Sequence, residues 1–185
     1  SIGEQILNKV NNDINKYKKQ IKNYDFISIN FSTRQLMSEQ YVAFMNDLVS
    51  NMDFENRKLH VEITEESLLH NVKTTKKIVD LFRQNDIDVI LDGFGSGYTS
   101  LSYLLDFNIK KIKIDRHIIH NIESDVHSRK LVSTLAAIAD IYDIELIATG
   151  IETQQQLNIV KELGCHYAQG YYISRPQSIE KYIKF

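Results

Sequence analysis

Six short apolar runs, separated by stretches with helical periodicity, constrain this chain more than any other feature. Strands are expected at 26–31, 59–64, 89–93, 111–115, 146–149 and 167–169. Helices are expected near 4–22, 38–51, 67–84, 99–107, 126–141, 153–163 and 178–184. Strict β-then-α alternation dictates parallel strands joined by crossover helices. Six such units suit two architectures, an open doubly wound sheet or part of a (β/α)8 barrel. The single proline, Pro176, and only seven glycines argue against long linkers, so 1–185 reads as one domain.

Strand parity separates apolar from polar faces. Ile27, Ile29 and Phe31 alternate with Ser28 and Asn30; Leu59, Val61 and Ile63 alternate with His60, Glu62 and Thr64. Leu91 precedes Asp92, and Ile112 and Ile114 oppose Lys111, Lys113 and Asp115. Polar side chains thus gather near the C-terminal ends of the strands, where (β/α)8 barrels carry their active sites. Wet strand ends are the plainer explanation for any one of them. The Lys/Asn-rich stretch 9–22 reads as the solvated face of a helix whose buried stripe is Ile6, Leu7, Val10, Ile14, Tyr17 and Ile21.

Composition excludes several classes. A net charge of −2 gives no polybasic surface for nucleic-acid polymers or membranes. No apolar run approaches the roughly 20 residues of a membrane span. One cysteine, Cys165, rules out an internal disulfide and fits a reducing, cytoplasmic compartment. No signal peptide opens the chain, and a start at Ser1 rather than Met suggests part of something longer. The six histidines show no shared metal spacing.

The stretch 91–101, Leu-Asp-Gly-Phe-Gly-Ser-Gly-Tyr-Thr-Ser-Leu, delivers an aspartate from a strand into a glycine-rich turn. Alone it could cradle phosphate at a helix N-terminus, although its spacing fits neither a P-loop nor a dinucleotide fingerprint. It resembles the DDFGTGYSSL signature of EAL domains, the cyclic di-GMP phosphodiesterase fold, with Gly93 at the second aspartate. Other segments agree in order and register over roughly 26–177. Asn30 lies in a strand similar to VNLS, Glu62 and Glu65 in one similar to VEITE, Lys113 in one similar to LKIDR, and Gln169, Arg175 and Pro176 in one similar to QGYYFSRP. Residues 148–153 resemble AEGVET, with Thr149 at the first glutamate and Glu152 at the second.

The resemblance implies a (β/α)8 TIM-like barrel of EAL type, incomplete at its N-terminus, with about six β/α units present. It also implies two Mg²⁺ or Mn²⁺ ions about 4 Å apart that activate water and neutralise charge. Hard cations want oxygen ligands. The family's EAL-motif glutamate, Asn30, Glu62 and Asp92 would hold one ion. Asp92 would bridge to the second, whose other ligands fall at Gly93 and Thr149. Lys113 and Glu152 occupy catalytic positions, Glu65 would tie down loop 93–98, and Gln169 and Arg175 would meet the ligand. Lys113 has a second reading, as ion-pair partner of Glu62 or Asp92.

The departures are the missing EAL motif, Gly93 without a side chain, and Thr149 with a neutral hydroxyl. At most one Mg²⁺ or Ca²⁺ is expected, and no bound cofactor is required. Three functions stay open: a non-catalytic regulatory or interaction module of a bacterial signalling protein, a cyclic di-GMP receptor, or a phosphodiesterase with residual activity yielding linear pGpG. GGDEF or sensory domains are the expected neighbours by analogy. A homodimer is expected through the strand edge near 26–31 or the apolar helix 99–107.

Overall fold

A computed structural model of the chain describes residues 2–21, 24–50, 58–95 and 101–182. In chain order the elements are α1 (Ile2–Lys16), β1 (Phe26–Phe31), α2 (Thr33–Leu36), α3 (Glu39–Ser50), β2 (Lys58–Thr64), α4 (Glu65–His70), α5 (Val72–Gln84), β3 (Asp88–Phe94), α6 (Leu101–Asp106), β4 (Lys111–Ile114), α7 (Arg116–His120), α8 (Val126–Tyr142), β5 (Glu145–Thr149), α9 (Gln154–Glu162), β6 (Tyr167–Gln169) and α10 (Ile179–Tyr182). They fall into two compact units, Ser1–Val89 with Gln177–Phe185, and Ile90–Pro176.

In the first unit β1 and β2 run parallel, with Ile29 beside Val61 and Asn30 beside Glu62. The apolar stripe of α1 is buried at Leu7 and Ile14, and the turns that follow bury Tyr17 and Ile21. Phe31 meets the edge of the Phe82 ring, whose centroid lies 5.7 Å away. Both faces of β2 are covered, since Leu59 to Ile63 are all buried.

In the second unit β3, β4, β5 and β6 are parallel neighbours in chain order. A doubly wound sheet reverses its strand order at a switch point; these four strands show no reversal. Buried in this unit are Ile90, Leu91, Ile112, Ile114, Leu146 and Ala148 of the strands and Leu104, Ile119, Val132 and Val160 of the helices. Helix α8 starts on Asp125, whose carboxylate accepts from the backbone N–H of His127 and Ser128, each at 3.0 Å. It ends at Asp143, left-handed with φ 56°.

The expected helix 67–84 is two helices. Asn71, at φ −150° and ψ 84°, breaks it and caps α5 by accepting from the Thr74 N–H at 3.1 Å. Asparagine competes for backbone groups in this way, so apolar periodicity continued where the backbone did not. Two short helices, α2 and α7, were not expected. The strand expected to 115 stops at Ile114, because Asp115 turns to cap α7. Helix 4–22 ends as a regular helix at Lys16. Part of helix 99–107 lies outside the described residues; within it Leu104 and Phe107 are buried, while Leu105 is exposed. No helix among the described residues is long and apolar enough to cross a membrane.

Candidate functional site

Asn30, Glu62 and Glu65 belong to the first unit. Register pairs Asn30 with Glu62, and partners in a parallel ladder share a face. Ser28, two residues before Asn30 and therefore on that same face, donates its hydroxyl to Glu62 Oε1. Glu62 is 5% exposed, so wet strand ends do not describe it. Burying a carboxylate costs several kcal/mol unless hydrogen bonds and charges compensate, which is how the Ser28 hydroxyl acts here. Glu65 is also buried, in the first turn of α4, where a helix dipole favours negative charge. The loop that Glu65 was expected to hold includes 96–98, outside the described residues. An open cavity of about 530 Å³, lined in part by Gly3, Glu4, Arg34, Gln35 and Tyr41, contains none of the expected site residues.

Asp92, Gly93, Lys113, Thr149, Glu152, Gln169 and Arg175 belong to the second unit. Leu91 pairs with Ile112, but Phe94 pairs with Ile114. Two residues of β3, Asp92 and Gly93, therefore stand opposite one residue of β4, Lys113. This is a β-bulge, a device that re-aims side chains at strand ends. Gly93 takes φ 75°, a conformation that glycine adopts at little cost. A Cβ at position 93 would lie 3.8 Å from Asp115 Oδ2 and meet nothing nearer. Lys113 is 7% exposed, and Asp92 is half-buried. Both take part in polar or electrostatic interactions.

Thr149 ends β5, and its hydroxyl donates to the Ile114 carbonyl at 2.6 Å. Glu152 is exposed, 3.9 Å from His120 Nδ1, and its backbone N–H donates to Gln156 Oε1 at 2.7 Å. Gln156 is buried, caps α9 with Thr153, and donates to the His120 carbonyl at 3.4 Å, so it fixes the turn that carries Glu152. Gln169 pairs in register with Thr149 and is exposed. Gly170 follows so closely against Ile151 that a Cβ would lie 2.1 Å from its carbonyl oxygen. The Arg175 guanidinium stands 4.8 Å over the Tyr171 ring.

The expected residues thus form three local groups: Asn30 with Glu62, Asp92 and Gly93 with Lys113 at the bulge, and Thr149 with Gln169. Sequence reasoning missed Ser28, Asp115 and Gln156 as partners. Ser28 was legible from its two-residue spacing to Asn30, and Gln156 from the Thr-x-x-Gln capping box. Among the described residues no three His, Cys, Asp or Glu side chains converge as a metal cluster.

A model of the EAL domain family matches residues 1–176. The signalling protein YkoW of Bacillus subtilis is 32% identical over 165 residues, 89% of this chain and 21% of that protein. The cyclic di-GMP phosphodiesterase PdeR of Escherichia coli is 30% identical over 150 residues, 81% of this chain and 23% of that protein. The chain therefore spans about a fifth of the length of either relative. Among solved structures, the EAL enzyme Bd1971 in its cAMP- and cyclic di-GMP-bound form gives a TM-score of 0.89 at 29% identity, over 99% of this chain and 50% of that one. BlrP1 of Klebsiella pneumoniae, solved with manganese and cyclic di-GMP, gives 0.78 at 21% identity over 92% of this chain and 44% of that one. The fold is the (β/α)8 barrel type of these proteins, with six β/α units among the described residues.

Proposed function

The chain belongs to the EAL domain family, and from that membership we propose that it serves cyclic di-GMP signalling as a non-catalytic regulatory or interaction module, folded as one domain over 1–185. The observation that carries this is position 93. A ligand carboxylate is implied there, but the residue is a glycine in a bulge at φ 75°. Thr149 adds to it, because a neutral hydroxyl stands where the resemblance implies an anionic ligand. These residues do not fit a second divalent ion, which would keep only Asp92. Asn30 and Glu62 in the first unit keep oxygen donors of the kind that Mg²⁺ or Ca²⁺ takes, as does Asp92 in the second. Without the second ion, much of the charge stabilisation that phosphodiester hydrolysis needs is missing. Lys113 and Glu152 then stand at catalytic positions without a reaction to serve.

A second reading, a cyclic di-GMP receptor, is favoured by the exposed edge of Gln169, Tyr171 and Arg175. An exposed guanidinium stacked on an aromatic ring suits a planar base and a phosphate. The proposal extends to a cytoplasmic location, to GGDEF or sensory neighbours, and to a homodimer, which the exposed Leu105 supports. Calorimetric titration of the full-length protein with cyclic di-GMP, followed by chromatography of the ligand, tests it. The module predicts no heat and intact ligand; saturable heat with intact ligand selects the receptor. Linear pGpG in the recovered ligand overturns both.

A further inference from the structure

We propose that His166 is an acid-releasable pin between β5 and β6, at the start of the edge that carries Gln169, Tyr171 and Arg175. Among the described residues β6 pairs with β5 alone, setting Ile147 beside Tyr167, Ala148 beside Ala168 and Thr149 beside Gln169. His166 lengthens this short ladder by one step. Its backbone N–H donates to the Leu146 carbonyl at 3.0 Å, and the Leu146 N–H donates to the imidazole Nδ1 at 3.1 Å. Successive N–H groups of a strand point to opposite neighbours. Glu145 accordingly donates to the Lys110 carbonyl, while Leu146 turns towards β6 and meets a side chain in place of a carbonyl. An imidazole accepts at Nδ1 only while neutral; once protonated, both ring nitrogens are donors. His166 is exposed, so a proton reaches it from water. Leu146 is 1% exposed, so its N–H has no water at hand to replace the lost acceptor. Histidine is the side chain whose charge changes between about pH 5 and pH 8, so the bond holds at and above neutral pH and is lost in acid. Other ionisable groups surround this step. Glu145 of β5 pairs with Lys111 of β4 and accepts from the Tyr167 hydroxyl at 3.2 Å. Lys110 pairs with Asp143 ahead of β5. Lys161 and Glu162 end α9, and Asp140 lies one turn beyond Ala136, the α8 residue set against Gly164. The Cys165 thiol, pushed up to about 11 by burial, keeps its proton throughout. The acceptor that acid removes is the histidine's own Nδ1.

Hydrogen exchange read by mass spectrometry tests this on the full-length protein without nucleotide. Exchange is compared at about pH 7.5 and about pH 5.5, after correction for the intrinsic pH dependence of amide exchange. In wild type, protection of the Leu146 amide, resolved by overlapping peptides, should fall by about tenfold or more in acid, and that of 167–169 with it. Peptides of β3 and β4 should hold their protection in the same samples. His166→Asn puts an amide oxygen, which does not titrate, in reach of the Leu146 N–H, so its protection should stay level between the two pH values. Level protection in wild type, or a fall that His166→Asn shares, overturns the proposal. A fall that β3 and β4 share overturns it too, since acid would then loosen the whole unit rather than its edge. If His166→Asn fails to fold, the wild-type comparison of β6 with β3 and β4 decides alone. Because cyclic di-GMP is absent, the pin can fail while the non-catalytic reading stands.

Discussion

At Gly93, backbone and chemistry pull in the same direction. Positive φ costs a side-chain-bearing residue about 1 kcal/mol, somewhat less for Asn or Asp. An aspartate there would also bring its carboxylate towards Asp115 Oδ2, 3.8 Å from its Cβ. Gly93→Asn should therefore lower stability by about 1 kcal/mol or less. Gly93→Asp should cost of order 1 kcal/mol more, a difference that shrinks as salt screens the two anions. Urea midpoints at low and high ionic strength measure both quantities. The sequence made the glycine itself legible, at the position where the resemblance implies a carboxylate. It hid the bulge, which depends on how β3 aligns with β4 rather than on either strand alone. Cys165 gives a second check at this scale. Burial raises its thiol pKa to about 11, so at neutral pH almost no thiolate is present. Iodoacetamide should label it slowly in the native protein, with the rate rising steeply towards pH 11, and rapidly after unfolding in urea.

Among the elements, α8 is held most visibly by its first residues. Its cap, Asp125, has its carboxyl pKa lowered first by the Ser128 hydroxyl, 2.7 Å away, and then by the backbone N–H groups of His127 and Ser128. A lowered folded-state pKa means that the ionised cap stabilises the fold above the ordinary aspartate value of about 3.9, and that this stability is lost as the pH falls through the lower value. Asp125→Ala should thus lower the melting temperature at pH 7, with the gap to wild type closing in acid; melting curves from pH 7 to pH 3 check this. Asn71→Ala, which removes the cap between α4 and α5, should cost about 1 kcal/mol without that pH dependence. Long elements were legible because apolar spacing persists over many residues, as at Leu7, Ile14, Tyr17 and Ile21. Short ones were not. Helix α7 spans five residues, too few for periodicity to speak, and only Asp115 as a cap announced it.

For the whole molecule, alternating strands and helices foretold parallel strands with crossover helices, the resemblance supplied the barrel type, and strand parity foretold which residues share a face. Parity could not say how deeply that face is covered. His60, Glu62 and Lys113 are polar, yet each is buried, because the strands of this fold are covered on both sides. The central claim is that an EAL fold lacking carboxylates at positions 93 and 149 does not cleave its family's phosphodiester. Single-turnover incubation tests it most directly, with the full-length protein in molar excess over labelled cyclic di-GMP, Mn²⁺ present, and Glu62→Ala as control. The expected result is intact cyclic di-GMP in both samples after hours. Linear pGpG formed by the wild-type protein, and not by Glu62→Ala, would contradict it.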